Sequence, residues 1–135
     1  MGAVLDPSQP LIMERLVDEL NGLTDRSDPE AIAKLPYLSA VVNEVLRIHP
    51  VAMLTFPRRI EAPITLGGYA FHSGDVVMAC IQAVHERSDL YPNPRQFNPD
   101  RFMNRTYGPH EFLAFGGGSR RCIGAALALY EMKLI

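Results

Sequence analysis

The stretch FGGGSRRCIG, residues 115–124, constrains the fold more than any other part of the sequence. Its run of glycines lets the backbone adopt conformations that other residues avoid, and it leaves space for the chain to pass close to something flat or large. After Gly124 no helix breaker follows up to Ile135, so we predict a helix over 123–135. The first two turns carry no charge until Glu131, which predicts that this helix is buried. A lone thiol, Cys122, therefore lies at the edge of a helix.

Several kinds of site are compatible with Cys122. Helix N-termini present unpaired amides and the positive end of the helix dipole, and with Arg120 and Arg121 nearby these favour a thiolate, the form that binds metals or attacks electrophiles. A plain glycine-rich turn with Cys122 as a small buried hydrophobe is the simplest alternative. A phosphate loop needs GK[ST] where this chain has RRC, and a zinc site needs further Cys or His at ligand spacing, which are not nearby. The remaining possibility is a single thiolate on a large cofactor.

Composition limits the class of protein. The chain has 135 residues, 47% of them hydrophobic, which predicts one domain, or part of one, over 1–135. A formal net charge of -2 with scattered basic residues argues against nucleic acid as a partner. The sequence shows no long apolar run or signal peptide, and its two cysteines form no CxxC pair. We therefore expect a soluble, cytoplasmic chain in a reducing compartment.

Apolar periodicity and capping signals predict three helices in the first part of the chain. The first runs from about Pro10 to Asn21, with Met13, Leu16, Val17 and Leu20 on one face. A capping box of Ser27 and Glu30, with Pro29 in the first turn, predicts a short helix through Lys34. The third runs from Tyr37 to Ile48, with an apolar stripe of Leu38, Val41, Val42, Val45 and Leu46.

The middle of the chain predicts extended structure. ITLGGYAF, residues 64–71, is typical of a hairpin around Gly67 and Gly68, and DVVMACI, residues 75–81, predicts a further strand. The proline-rich residues 91–109 predict an ordered but irregular segment. The predicted fold class is mainly α with a small β-sheet (α+β).

Three motifs, in order along the chain, carry a resemblance. FGGGSRRCIG satisfies FxxGxRxCxG at Phe115, Gly118, Arg120, Cys122 and Gly124, and so resembles the haem-binding loop of the cytochrome P450 family. EVLR at 44–47 is similar to the family's ExxR, and FNPDRF at 97–102 is similar to FxPERF. The stretches HPVAMLTFPRR, LGGYAFHSGDVV and AVHERSDLYPNP also resemble family segments, so the likeness covers almost the whole chain.

The resemblance implies a cofactor and residues that hold it. It implies that Cys122 is the proximal ligand of the iron of haem b, iron protoporphyrin IX, and that Phe115 packs near the sulfur while backbone amides of the loop tune it. Arg120 is implied as a partner of a haem propionate, since a guanidinium matches a carboxylate. Arg58 stands where family members carry a second propionate contact, with Arg59 as its rival.

Glu44 and Arg47 have two different expectations. They lie three apart on the third helix and off its apolar stripe, so periodicity alone predicts an exposed ion pair of little energetic value. The resemblance implies instead that Glu44, Arg47 and Arg101 form a charged triad that ties the helix to the irregular segment and holds the haem core. Loss of one member is then expected to cost about 3–5 kcal/mol.

Two positions depart from the family pattern, and a third region has two possible roles. Asp100 replaces the commoner Glu, which we expect to be tolerated, and Ala114 stands where many members have Pro, which we expect to loosen the approach to the loop. The apolar residues between Pro50 and Arg58 either line a hydrophobic substrate pocket or are ordinary core; they include Met53, Leu54, Thr55 and Phe56.

The implied activity is that of a monooxygenase, which inserts one oxygen atom from O₂ into a hydrophobic substrate with electrons from a ferredoxin or flavoprotein. None of the four threonines follows an acid in the context expected of the distal oxygen-activating helix. The chain is therefore expected to be a partial cytochrome P450 fold, roughly a C-terminal third cut at both ends, and to be inactive by itself. The alternative is a truncated, non-catalytic fragment that binds haem or packs against a partner.

Overall fold

The computed structural model describes residues 10–135 and is mainly helical. Within these residues there are six α-helices, in chain order: α1 Pro10–Asn21, α2 Pro29–Ala33, α3 Pro36–Ile48, α4 Ile81–His85, α5 Asp100–Asn104 and α6 Ala125–Leu134. Four short strands lie between α3 and α4: β1 Arg58–Arg59, β2 Ile64–Leu66, β3 Tyr69–Phe71 and β4 Val76–Val77. This arrangement confirms the predicted fold class.

Helix α3 is the centre of the described structure. It contacts α1, α4, α5 and α6. Together with α1 and with Phe97 of the irregular segment, it forms a core cluster of Ile12, Leu16, Tyr37, Val41 and Phe97. Its N-terminus has no side-chain cap of its own. Instead the carboxylate of Glu19, on α1, accepts hydrogen bonds from the backbone N–H groups of Tyr37 at 2.7 Å and Leu38 at 2.8 Å. A side chain from another helix therefore satisfies two of the free amides and complements the dipole.

The bounds of α1 are confirmed, but its predicted buried face is rotated. Ile12 and Leu16 are the buried residues, whereas Met13 and Val17 are exposed. Residues at 12 and 16 are four apart and share a face that meets α3, so the contact with α3 selects this stripe over the neighbouring one.

The predicted capping box at α2 is wrong. Asp28 is the N-cap, and its side chain accepts from the backbone N–H of Glu30. The hydroxyl of Ser27 donates to Asp25 instead. Because Pro29 occupies the first helical position, the capping residue must be the one directly before it. The helix ends at Ala33, with Lys34 as its C-cap.

The strands form two separate two-stranded sheets. The hairpin prediction is confirmed: β2 and β3 pair antiparallel around Gly67 and Gly68, which have φ of 57° and 85°. The predicted strand over 75–81 is too long, since the strand is only Val76–Val77, which pairs with Arg58–Arg59, and Cys80 forms an isolated bridge with Leu54. Ile81 begins α4, its side chain is buried, and its backbone N–H donates to the carbonyl of Met53 at 2.8 Å.

The last third differs from expectation in two places. The irregular segment 91–109 contains the one-turn helix α5, which the prolines around it concealed. Helix α6 is present, but the prediction that it is buried is wrong: Ala125 is its only buried residue, while Leu127 is 63% exposed and Ile123, just before it, is fully exposed. The absence of charge predicts a helix that is covered all round, whereas within residues 10–135 α6 packs chiefly against α2 and α3.

Candidate functional site

Glu44, Arg47 and Arg101 meet in one ion-pair cluster. The Glu44 carboxylate accepts from Arg47 Nε at 2.7 Å and Nη2 at 2.9 Å, and from Arg101 Nε at 3.0 Å. Glu44 is 0% exposed, Arg47 1% and Arg101 8%, so the exposed pair expected from periodicity alone is wrong. The resemblance pointed to this grouping, and the tertiary contacts bring it about.

Two guanidinium groups surround one carboxylate in this cluster, and backbone carbonyls balance the excess positive charge. Arg47 donates to the carbonyls of His85 at 2.8 Å and Pro94 at 2.7 Å. Arg101 donates to the carbonyls of Pro92 and Gln96, each at 3.2 Å. The cluster thereby ties α3 to the irregular segment, and no buried side-chain nitrogen or oxygen of residues 10–135 lacks a partner. Full satisfaction is what makes burial of these charges tolerable.

His85 extends this network and was not singled out from the sequence. Its side chain is fully buried, with Nδ1 at 3.0 Å from the carbonyl of Arg47. Its Nε2 accepts from the backbone N–H of Leu113 at 2.9 Å. Burial lowers the pKa of His85, and the neighbouring Arg47 charge acts in the same direction. The only sequence signal was its place in the AVHERSDLYPNP stretch, which resembles a family segment but for which the resemblance implied no function of His85.

The cysteine loop, residues 115–124, is held by backbone hydrogen bonds. The amide of Gly116 donates to the carbonyl of Leu113 at 2.8 Å, and the amide of Cys122 donates to the carbonyl of Phe115 at 2.9 Å. A single 3-10 turn, Gly118–Arg120, lies between them. Cys122 itself is exposed, so the simple alternative of a buried structural cysteine is wrong for the described chain. The loop runs directly into α6, so Cys122 lies just before this helix, as expected.

The three consecutive glycines of the loop, Gly116, Gly117 and Gly118, serve two different purposes. Gly116 and Gly118 have φ of 71° and 65°, which side chains disfavour, and a Cβ on either would meet nothing within 4 Å. Gly117 has no such φ, but its Cβ would lie 2.7 Å from the carbonyl oxygen of Pro109. Gly117 thus closely approaches the chain's own backbone, and positive φ favours glycine at the other two positions, while close approach to a large bound group stays a prediction.

The arginines predicted as propionate partners, Arg58, Arg59 and Arg120, are all exposed. Arg120 forms the end of the 3-10 turn, and it makes no ion pair or side-chain hydrogen bond within residues 10–135. Arg58 and Arg59 occupy β1, where successive side chains point to opposite faces. Arg58 makes only a long 3.4 Å bond to the carbonyl of Pro57. The described contacts do not join either strand arginine to the cysteine loop, so their roles stay predictions.

The segment between α3 and β1 displays apolar side chains. Met53 is 62% exposed and Phe56 is 82% exposed, and Leu54 and Val51 are exposed as well. Core packing is therefore the wrong explanation for these residues in the described structure. Thr55 is half-buried, and its hydroxyl accepts from the amide of Ala79 at 2.9 Å, which anchors the segment to the residues after β4. Pocket lining remains a prediction.

A cavity of about 320 Å³ lies behind the cysteine loop, between α3, α6 and the irregular segment. Its lining includes Phe115, Gly116 and Arg121, but it includes neither Cys122 nor Arg120. Of the residues predicted to bind the cofactor, only Phe115 lines this cavity, and the predicted iron ligand lies outside it, so we do not assign the cofactor to it.

The donor set fits a large group held through one sulfur atom. Cys122 is exposed, Gly116 and Gly118 leave open space beside the backbone, and Arg120 is free to meet a carboxylate. In the described residues no three His, Cys, Asp or Glu side chains group to hold a metal ion by themselves. The fold and site define a mainly helical protein that presents a single thiol on a firmly anchored loop, which is the arrangement of a haem–thiolate protein.

Comparison with known proteins agrees with this class. The family model for cytochrome P450 matches residues 8–135, and the chain belongs to that family. Cytochrome P450 3A29 of Sus scrofa is 34% identical over 133 residues, which are 94% of this chain and 26% of the relative. Cytochrome P450 81F4 of Arabidopsis thaliana is 37% identical over 128 residues, which are 90% of this chain and 25% of the relative.

Solved structures give the same result. Cyanobacterial CYP120A1, determined with bound retinoic acid, superposes with a TM-score of 0.84 at 35% identity, and the match covers 94% of this chain and 30% of that chain. The chain thus spans about a quarter of the length of the pig and Arabidopsis relatives. Membership supports a haem cofactor and monooxygenase chemistry at the level of the family. Among the described helices, none has the length and apolar character needed to cross a membrane.

Proposed function

We propose that this chain is the haem-binding part of a monooxygenase, with the Cys122 thiolate as proximal iron ligand. The main supporting observation is the exposed Cys122 sulfur on a loop whose backbone is pinned on both sides. Haem bound through a thiolate supplies the iron that activates O₂ for insertion of one oxygen atom into an organic substrate. The residues of this chain supply the ligand, its orientation and the scaffold behind it.

Specific residues would hold the group. Phe115, half-buried beside the ligand, would pack against it, and Gly118 and Gly124 would keep the backbone clear of it. Arg120, exposed at the end of the 3-10 turn, would bind one propionate, and Arg58 would bind the other. The cluster of Glu44, Arg47 and Arg101 would act as a structural triad, since its members face one another and the backbone carbonyls.

The proposed function also implies partners: a substrate, O₂ and an electron donor. The apolar side chains displayed between Pro50 and Arg58 support a hydrophobic small molecule as substrate, and the related CYP120A1 binds retinoic acid, which is of that class. O₂ is the second substrate, and a ferredoxin or flavoprotein reductase would supply electrons. Two unpaired, exposed cysteines are consistent with a reducing compartment such as the cytoplasm.

A second candidate is a non-catalytic fragment that binds haem or packs against a partner. The observation that favours it is the exposed apolar surface of α6 and its approach, which includes Ile123, Leu127 and Leu134. Such a surface is typical of an interface with further protein. In this case the chain would bind haem without turnover.

The absorption spectrum of the purified chain with haem, reduced under carbon monoxide, tests the proposal. A strongly red-shifted Soret band would show thiolate ligation. We expect Cys122→Ser to abolish the band and Cys80→Ser, which alters the other exposed cysteine, to retain it. A band that survives Cys122→Ser would refute the assignment of the ligand. Turnover with reducing equivalents then separates the monooxygenase from the non-catalytic candidate.

A further inference from the structure

Among the described residues, only His85 uses one side chain to bond both to a member of the ion-pair cluster, Arg47, and to Leu113, which lies just before the cysteine loop. Its ring is fully buried, and one nitrogen faces Arg47 while the other faces Leu113. The connection to Arg47 is reciprocal, because Arg47 Nη1 donates to the His85 carbonyl. The imidazole also stacks on Phe112, with ring centroids 5.5 Å apart. These contacts together fix the orientation of the ring.

The hydrogen bonds select one protonation state of the ring. A carbonyl only accepts, so Nδ1 must donate to Arg47, and a backbone N–H only donates, so Nε2 must accept from Leu113. Neutral imidazole with its proton on Nδ1 meets both demands. The charged form would point a second N–H at the amide of Leu113 and break that bond.

The bond to Leu113 continues into the cysteine loop. The carbonyl of Leu113 accepts from Gly116, and the carbonyl of Phe115 accepts from the amide of Cys122. Leu113 is buried, so loss of the His85 acceptor would leave its amide unsatisfied, which is costly for a buried donor. A displacement of Leu113 would move the first residues of the loop and, through Phe115, the backbone of the ligand.

We propose that His85 is a positioning residue for the Cys122 ligand. Its ring bonds to the Arg47 carbonyl on α3 and to the Leu113 amide, and these two bonds hold the cysteine loop at a fixed position relative to α3. This role rests on the proposed function of Cys122 and adds to it a residue outside the three motifs. His85 touches neither the sulfur nor any group bound to it, and it acts through the backbone of residues 113–122.

Two substitutions separate the two ring bonds. In His85→Asn, the side-chain amide can still donate to the Arg47 carbonyl, but no atom reaches the amide of Leu113. In His85→Gln, the longer side chain places an oxygen where it can accept from Leu113. His72→Asn is the matched control, because the His72 side chain is 83% exposed and lies in the loop before β4.

The experiment uses the complete haem-loaded protein and two readouts. The first is hydrogen exchange of the amides in residues 113–122. We expect His85→Asn to speed exchange at Leu113 and Gly116 by about tenfold, the factor expected when a buried amide loses its acceptor. His85→Gln should restore exchange to within about twofold of the parent protein, since its oxygen replaces the lost acceptor.

The second readout is the fraction of the reduced carbon-monoxide complex that keeps the red-shifted thiolate band. We expect this fraction to fall in His85→Asn, to recover in His85→Gln and to stay unchanged in His72→Asn. Equal behaviour of the two His85 variants, in exchange and in spectrum, would overturn the proposal and leave His85 as a core residue only.

The controls keep the two proposals separable. If His85→Asn does not accumulate as folded protein, His85→Gln decides alone: parent-like exchange at Leu113 supports the proposal and fast exchange overturns it. If the parent protein itself shows no thiolate band, the proposed ligand role of Cys122 fails. A parent with the band and His85 variants that match His72→Asn would instead refute the positioning role alone.

Discussion

The ion-pair cluster of Glu44, Arg47 and Arg101 and the cysteine loop are built in opposite ways. In the cluster, charged side chains are almost fully enclosed and every polar atom has a protein partner. In the loop, the backbone makes the anchoring hydrogen bonds, while Cys122, Arg120 and Arg121 are exposed. This scaffold therefore uses its buried charges for internal support and leaves the thiol that we propose as the iron ligand exposed.

We expect removal of Arg47 to have the largest effect, because Arg47 belongs to the buried ion-pair cluster. Arg47→Ala deletes the two bonds to Glu44 and leaves the carbonyls of His85 and Pro94 without their donor. We expect the free energy of unfolding to fall by about 3–5 kcal/mol and haem incorporation to be lost. Urea unfolding and the haem-to-protein ratio of the purified complete protein measure both. Normal haem content in this variant would contradict the structural role of the cluster.

Gly117→Ala tests the backbone support of the loop. The added methyl would lie 2.7 Å from the Pro109 carbonyl, so the loop must shift, at a cost of about 1–3 kcal/mol. We expect a smaller thiolate fraction in the reduced carbon-monoxide spectrum.

Gly67→Ala is the matched control for that variant. Gly67 has φ of 57° with nothing within 4 Å of an added Cβ, so the substitution strains a hairpin turn by about 1–2 kcal/mol. It should lower the unfolding midpoint and leave the spectrum unchanged. An equal spectral change in both variants would mean that general destabilisation, not the position of the loop, causes the effect.

A moderate pH effect is expected from His85, which links the two regions. Burial holds its pKa below the ordinary value of 6.5, so the folded state binds fewer protons than the unfolded state. The stabilisation is complete above pH 6.5 and is lost as the pH falls below 6.5 toward the folded-state pKa. Unfolding free energies measured down this range should decline, with less decline in His85→Gln. Identical slopes for the two proteins would show that His85 does not carry the effect.

The smallest effect is expected at an ion pair outside both regions. Arg87 and Asp89 form an exposed pair, and the pair raises the pKa of Arg87 and lowers that of Asp89. Solvent screens such a pair, so Arg87→Ala should leave the unfolding midpoint and the haem content of the protein unchanged within error. A loss of stability or haem comparable to that of Arg47→Ala would contradict the expectation that buried arginines contribute more to stability than exposed ones.

The parts of the fold that could be predicted depend on short stretches of chain. The hairpin around Gly67 and Gly68 follows from a local need for positive φ, and α1 and α3 follow from apolar periodicity and their flanking residues. Helix α5 could not be predicted, because one turn among prolines has too few residues to show a period. The predicted burial of α6 failed for a related reason: composition describes what a helix could bury, not what lies beside it.

In the candidate site too, residues that are close together in sequence could be predicted, and residues whose partners are distant in sequence could not. The spacing of residues 115–124 was enough to single out Cys122 and Gly118, because all residues of this motif are contiguous in sequence. His85 was not singled out, since its partners Arg47 and Leu113 are 38 and 28 residues away along the chain.

The sequence by itself determined the helical segments α1 and α3, the Gly67–Gly68 turn and the family of the chain, since each depends on residues that are neighbours or stand at fixed spacings. Only the tertiary structure decided that Glu44 and Arg47 are buried rather than exposed. Their burial depends on the carbonyls of His85 and Pro94, and on the Arg101 side chain, which folding brings to α3 from distant parts of the chain. The physical reason is that a buried charge is stable only when enough polar partners surround it, and no local pattern counts partners that are far apart in sequence.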